Sequence, residues 1–318
     1  MTARSISPSY IVVIRTAGER TFEACKALIL QQVPEDRLHV VDERPFEAAL
    51  RRCYQIGIES DSEWMVTVDA DVLLRERAII GLLAEAAAMP RDHFQVEGMV
   101  FDKLTNRARW AGYRCYRTEH LAEAQTQVPA DRTEIRPEFS TLERMAARGK
   151  PYLRSSQIYG VHDFEQYYVD VYRKAFVHAE KHQVWLFEML EHWKREATRD
   201  QDFLVALRGA AESLTALEAP RIDRRDFETR AEQVLRKLRL VEKPPLESSQ
   251  VGPETVEAVL ASAVALAGPS ARSSNMTRRQ RLHSRYSRLG LWRFVPHFFG
   301  SALSDAGNAI KRLAERGR

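Results

Sequence analysis

Short apolar runs alternate with amphipathic segments through the first hundred residues, and this alternation leaves few folds open. Tyr10 to Ile14, Leu38 to Val41, Trp64 to Val68 and Phe94 to Phe101 read as buried strands. Between them, Glu19 to Val33, Pro45 to Glu59 and Arg75 to Met89 place apolar residues at helical spacing. Pro45 suits the first turn of a helix. Strand–helix alternation of this kind predicts an α/β fold, with a mostly parallel sheet covered by helices.

The pattern then changes. Asp131 to Glu138 is polar, carries Pro137 and reads as a loop. From Asp163 onward the periodicity is helical, over Asp163 to His182, Trp185 to Ala197, Gln201 to Leu217 and Arg224 to Leu240. Lys243 to Gly252 and Ala267 to Asn275 have linker composition. The expected organisation is an α/β domain over 1–180, a helical extension over 181–242, a linker-rich segment over 243–275 and a basic tail over 276–318. Hydrophobic residues are 44% and charged residues 29% of the 318, which excludes collagen-like and largely disordered chains. Cys25, Cys53 and Cys115 stand far apart with no CxxC pair, against a disulfide scaffold or zinc ribbon. The N-terminus lacks a signal-peptide apolar region, and a cytoplasmic location is expected.

The sharpest chemical signal is Asp69-Ala70-Asp71, directly after WMVTV. Residues i and i+2 of a strand share a face, so both carboxylates are expected at the carboxyl edge of the sheet, where open α/β folds bind ligands. Two hard oxygen donors there suit Mg²⁺ or Mn²⁺, with phosphate oxygens completing the shell. The plainer alternative is a strand end turning polar as it meets water.

These segments resemble the GT-A-fold glycosyltransferases, especially family 2. That family reads strand, "R/N-T/x-x-R" turn, helix, strand ending in Asp, helix, and strand ending in Asp-x-Asp. This chain offers IVVIRTAGER, LHVVDE and ALRRCYQIGIESDSEWMVTVDAD, the last one residue shorter than the family pattern. The resemblance covers the first third of the chain well and Tyr159 to Lys174 more loosely. It implies a metal-dependent, inverting transfer of a sugar from a nucleotide-diphosphate sugar to a glycan or lipid-linked acceptor, in surface polysaccharide synthesis. By resemblance, Arg15, Thr16, Gly18 and Arg20 lie along the nucleotide, Asp42 meets base or ribose, and Arg52 lies near the diphosphate. Asp69 belongs to the nucleotide-sugar and metal sites, and Asp71 to the metal site. In SQIYGVHDFEQYYVDVYRK, Asp163 matches the family's general base at a helix start, and Arg173 its later arginine. His162 replaces an acidic partner and is a candidate third metal ligand. Glu97 on the fourth strand is the alternative base, and Asp163 as a helix cap is the structural alternative.

The first turn lacks both GxxxxGK and GxGxxG, against ATPase and dinucleotide-binding readings. His178 and His182 are spaced i, i+4, but without an HExxH context they read as helix-surface residues.

Charge is unevenly placed. Residues 271–318 hold eleven basic and two acidic residues (+9), leaving 37 basic and 42 acidic elsewhere (−5). Leu282, Tyr286 and Leu289, then Phe299, Leu303, Ala306, Ile310 and Leu313, form apolar stripes among the arginines. Such a tail is expected to lie on an anionic membrane surface, on the inner face, and its large apolar residues fit nucleic acid poorly. The competing view is a non-catalytic membrane or nucleic-acid scaffold that works through this tail.

Overall fold

The computed structural model describes residues 9–134, 136–181, 183–216 and 222–267; the basic tail, with its expected membrane contact, lies outside the described residues. The class is α/β, as expected, with one seven-stranded sheet. Strand β1 (Tyr10–Arg15) pairs in parallel with β2 (Leu38–Val41) and β3 (Trp64–Asp69). Side chains alternate between the two faces as the strand period demands. Val12 and Ile14 enter one core with α1 (Phe22–Leu30), α3 (Ala78–Ala88) and α10 (Pro253–Ala267). Ile11 and Val13 enter a second with α2 (Phe46–Glu59), α4 (Leu121–Gln127) and α5 (Pro137–Ala147).

Beyond β3 the sheet departs from a mostly parallel one. It continues through β6 (Arg107–Arg117), β5 (Gln95–Asp102) and β7 (Tyr152–His162) to β4 (Val72–Leu74) at the far edge. β6 runs antiparallel to both β3 and β5, β5 and β7 are parallel, and β4 is antiparallel to β7. The short connection from Asp102 to Arg107 makes β5 and β6 a hairpin, which can only be antiparallel. β6 has no apolar run to announce it. Its buried Arg114 and Arg117 are matched to partners instead, Arg117 lying over the Trp64 ring at 4.4 Å.

Two boundaries move for local reasons. α1 starts at Phe22 rather than near Glu19, because Gly18 turns with φ +87° and the Thr21 hydroxyl donates to the Ala70 carbonyl at 2.8 Å. No helix starts at Asp163. His162 ends β7, Asp163 has φ +63°, and α6 (Tyr168–Lys181) begins five residues later. There the Glu242 carboxylate accepts from the amides of Tyr168 and Val169 at 2.7 and 3.0 Å, satisfying donors that a helix start leaves free. α5 likewise begins at Pro137, inside the segment read as a loop.

α6 packs with α7 (Gln183–Glu196), α8 (Gln201–Thr215) and α9 (Glu228–Leu238) around a separate core that includes Tyr172, Phe176, Trp193 and Phe227. The linker-like stretch before α10 contributes Leu246 and Val251 to the sheet core, and Glu257 on α10 pairs with Arg75 through two contacts of 2.8 Å.

A chain of buried ion pairs crosses the sheet. Arg15 donates to Asp69 at 2.7 Å and to Glu138 at 2.8 Å; Arg114 pairs with Glu138 and, at 3.2 Å, with Glu97. Tyr116 donates to Glu138 at 2.6 Å, and Arg154 reaches Glu97 from the surface at 2.9 Å. Burial would raise the Glu138 carboxyl, but Arg114 and Arg15 hold it at about 2. A carboxyl lowered in the folded state stabilises fully above its unfolded value near 4.5, and that stabilisation is lost as pH falls toward 2. The shift corresponds to about 3 kcal/mol. Removing the charge also leaves two buried guanidinium groups undercompensated. Glu138→Gln should cost about 3–5 kcal/mol at pH 7 and flatten the acid limb between pH 4.5 and 2. Urea unfolding midpoints of both proteins across this range measure the difference.

Candidate active site

Only Ala70 and Asp71 separate β3 from β4, although β6, β5 and β7 lie between those strands in the sheet. Two residues span only about 10 Å even when extended. The sheet must therefore curl until its far edge meets the end of β3. Strand register then assembles the site. Val72 pairs with His162, Asp102 pairs with His162 on its other side, and the Asp163 amide donates to the Asp71 carbonyl at 3.1 Å.

The Asp-x-Asp carboxylates consequently have different partners. Asp69 ends β3 and is held by Arg15, with about a quarter of its side chain exposed. Burial raises its carboxyl; Arg15 opposes that and the Asp71 charge reinforces it. Asp71 faces His162, Asp163 and Lys174. His162 Nδ1 lies 2.8 Å from Asp102 Oδ2 and 3.2 Å from Asp163 Oδ2, and Nε2 lies 3.5 Å from Asp71 Oδ1. Arg109 donates to Asp102 at 2.6 Å. Lys174 Nζ bridges Asp71 Oδ2 and Asp163 Oδ1. Against the cost of burial, Lys174 and His162 hold Asp71 below the usual carboxylate range, and His162 and Lys174 do the same for Asp163. Burial would lower His162, but Asp163, Asp71 and Asp102 push it up to about 10.

The donor set fits a divalent cation. One carboxylate oxygen or ring nitrogen each from Asp71, His162 and Asp163 lie within 4.8 Å of one another. Asp71 Oδ1 and Asp163 Oδ2 are buried with no hydrogen bond of their own and face the His162 ring, whose Nδ1 lies nearest Asp102. Asp102 thus orients the imidazole with Nε2 toward Asp71, the arrangement in which a carboxylate steers a metal-binding histidine. His162 can bind a metal only after giving up its proton. A second group, Asp102, Asp163 and His178, shares Asp163. His178 is 7% exposed, so its reading as a surface residue is corrected: α6 turns it inward, within 4.8 Å of carboxylate oxygens of Asp102 and Asp163.

The Gly18 turn borders this cluster. Thr16 Oγ1 and the Ala17 amide donate to Glu19 at 2.8 and 2.7 Å. Burial, Asp71 and Asp170 raise the Glu19 carboxyl, which places it in the same acidic neighbourhood. Arg44 donates to the Ala17 carbonyl at 2.9 Å and Arg224 to the Gly18 carbonyl at 2.7 Å. Arg20 holds Glu165 and the Pro244 carbonyl.

The remaining candidate residues stand apart from one another. Arg15 is buried in the sheet's ion pairs. Glu97 is 3% exposed between Arg114 and Arg154. Asp42 is exposed beside Arg44, and Arg52 lies half-exposed on α2 near Glu43 and Glu59. Arg173 donates to the Ile222 carbonyl at 3.0 Å, while its neighbour Lys174 is the cation that meets Asp163. Asp102, Lys174 and Glu19 were not singled out from sequence. Asp102 closes its strand as Asp69 does, and Lys174 stands one helical turn after Asp170, the two available signals.

The sequence matches no protein-family model and no curated protein. Among solved structures, the chain is similar to mannosyltransferase PcManGT from Pyrobaculum calidifontis in complex with GDP-Man and Mn²⁺, at TM-score 0.37 and 15% identity over 90% of this chain and 88% of that one. It is also similar to a glycosyltransferase involved in the glycosylation of the major capsid of PBCV-1, at TM-score 0.33 and 13% identity over 46% and 82%. A third is A197 from STIV, at TM-score 0.34 and 10% identity over 50% and 84%.

Gly112 on β6 lies against the Asp-x-Asp turn. At φ +64°, an added Cβ would lie 2.8 Å from Val72 Cγ2 and 3.0 Å from Asp69 Oδ2. Gly149 has φ +79° but open space around it. Gly149→Ala should cost about 1 kcal/mol through backbone strain alone, and Gly112→Ala about twice that or more. Denaturant midpoints of the two variants test this; equal costs would show that the turn does not press on Gly112.

Proposed function

We propose that this chain is a GT-A-like, metal-dependent glycosyltransferase that moves a sugar from a nucleotide-diphosphate sugar to a glycan or lipid-linked hydroxyl. The observation that carries this reading is the donor set of Asp71, His162 and Asp163, built where β3 ends and bordered by the arginine-lined Gly18 turn. Such a place suits a charged diphosphate: hard donors for a dication, and arginines for its oxygens. Asp71 and His162 would hold Mn²⁺ or Mg²⁺, which would neutralise the departing nucleoside diphosphate. The turn from Thr16 to Arg20, with Arg44 and Arg224, would seat the nucleotide, and Asp42 would meet its base or ribose. The acceptor oxygen would bond the anomeric carbon as its proton passes to a carboxylate base, for which Asp163 is the candidate, and the nucleoside diphosphate would depart, a single displacement with inversion.

The general-base role expected for Asp163 competes here with a ligand role. His162 and Lys174 stabilise its ionised form, which makes it a weak base. The ligand role is the better supported of the two. Asp163→Asn should therefore raise the Kd for Mn²⁺ and nucleotide at least tenfold. A variant with intact binding and collapsed kcat would return the base role to it.

Thermal shifts with UDP, GDP and ADP, with and without Mn²⁺, test the reading as a whole. One nucleotide should stabilise the protein in a Mn²⁺-dependent manner, and Asp71→Asn should abolish that shift while the protein stays folded. No shift with any nucleotide would turn the assignment toward a scaffold. The charge of residues 271–318 supports an acceptor at an anionic membrane, in surface polysaccharide synthesis. None of the described helices is long and apolar enough to cross a membrane. Liposome flotation of full-length chain and of chain truncated after Gly268 should show salt-weakened binding lost on truncation.

A further inference from the structure

The cation that sits between Asp71 and Asp163 in this structure is the chain's own. Lys174 Nζ contacts Asp71 Oδ2 and Asp163 Oδ1, and its side chain is only 10% exposed. Their other oxygens, Asp71 Oδ1 and Asp163 Oδ2, are buried against the His162 ring, 3.5 Å from Nε2 and 3.2 Å from Nδ1. Each carboxylate thus gives one oxygen to the ammonium and turns the other to the imidazole. Lys174 reaches them from α6, whose body packs in the helical core, so the ammonium is delivered by a helix and not by a mobile loop.

Resting on the glycosyltransferase reading, we infer that Lys174 is an intramolecular competitor for the divalent cation at this site. A dication drawn to both carboxylates at bonding distance meets a like charge already in contact with the same groups, and repulsion at that range is strong in a buried setting. Binding of the metal must then swing the ammonium off at least one carboxylate. The metal-free site is charge-compensated by Lys174 together with His162, which explains how two buried, adjacent carboxylates stay side by side. The metal affinity of the free protein is correspondingly weakened. The released ammonium is left beside the site, within reach of the anionic diphosphate that accompanies the metal.

The test is Mn²⁺ binding followed by the electron paramagnetic resonance signal of the free ion, on full-length protein without nucleotide. Lys174→Met keeps most of the length of the side chain and removes its charge; Lys174→Gln provides a second form should the first fold poorly. Both should bind Mn²⁺ at least tenfold more tightly than the unaltered protein, and Mn²⁺ should raise their melting temperature more. Arg173→Met, which removes a neighbouring charge that touches neither carboxylate, should change the Kd by less than threefold. Adding Asp71→Asn to Lys174→Met should abolish the gain. An unchanged or weaker Kd in both Lys174 variants overturns the inference, as does an equal gain in Arg173→Met. Absence of Mn²⁺ binding in every form overturns it too, because a competitor needs a cation to exclude. In that case nucleotide-induced thermal shifts still decide the glycosyltransferase reading separately.

Discussion

The two-residue bridge from β3 to β4 is the constraint on which the rest of the molecule depends. The chain passes from the middle of a sheet to its far edge through Ala70 and Asp71. Three strands must fit into the detour between them. That is possible only if the sheet rolls, and rolling places strand ends together that a flat sheet would hold far apart. Asp71, His162 and Asp102 become neighbours through register alone. The same closeness explains the glycines. A Cβ on Gly160 would lie 2.3 Å from the Leu73 carbonyl, so β7 can meet β4 only where a side chain is missing.

Buried charge is used in two ways. The chain from Asp69 through Arg15, Glu138, Arg114 and Glu97 to Arg154 links each charge to its neighbour and ties five strands and α5 together. It behaves as framework: such networks are costly to break and hold one arrangement. The cluster at Asp71 is built otherwise. Two buried carboxylate oxygens make no hydrogen bond and meet charge only through the His162 ring, at 3.2 and 3.5 Å. Native proteins rarely leave such atoms unpartnered without a reason, which is why this place and not the larger network carries the functional reading.

How much of this was legible depended on whether a residue's role was local. The four apolar runs became strands and the periodic segments helices, because burial of a face is a local pattern. β6 was missed because Arg114 and Arg117 look like surface residues until Glu138 and Trp64, distant in sequence, supply their partners. Asp71 and His162 were legible as candidate ligands by residue type. Their meeting with Asp102 was not, since register between strands thirty or more residues apart is written in no short motif. The pair Arg173 and Lys174 shows the limit most plainly. Adjacent positions on a helix point about 100° apart, and only the seating of α6 decides which of them turns toward Asp163.

That seating has a mechanical side. Tyr172 and Phe176 anchor α6 in the helical core, while Asp170 and Lys174 of the same helix turn toward the Gly18 turn and the Asp71 cluster. One residue of travel along a helix axis is about 1.5 Å, enough to separate an ammonium from a carboxylate it touches. The helix thus ties aromatic packing at one face to the charge cluster at another. The charge beside Asp71 and Asp163 is therefore positioned by aromatic residues that touch neither carboxylate.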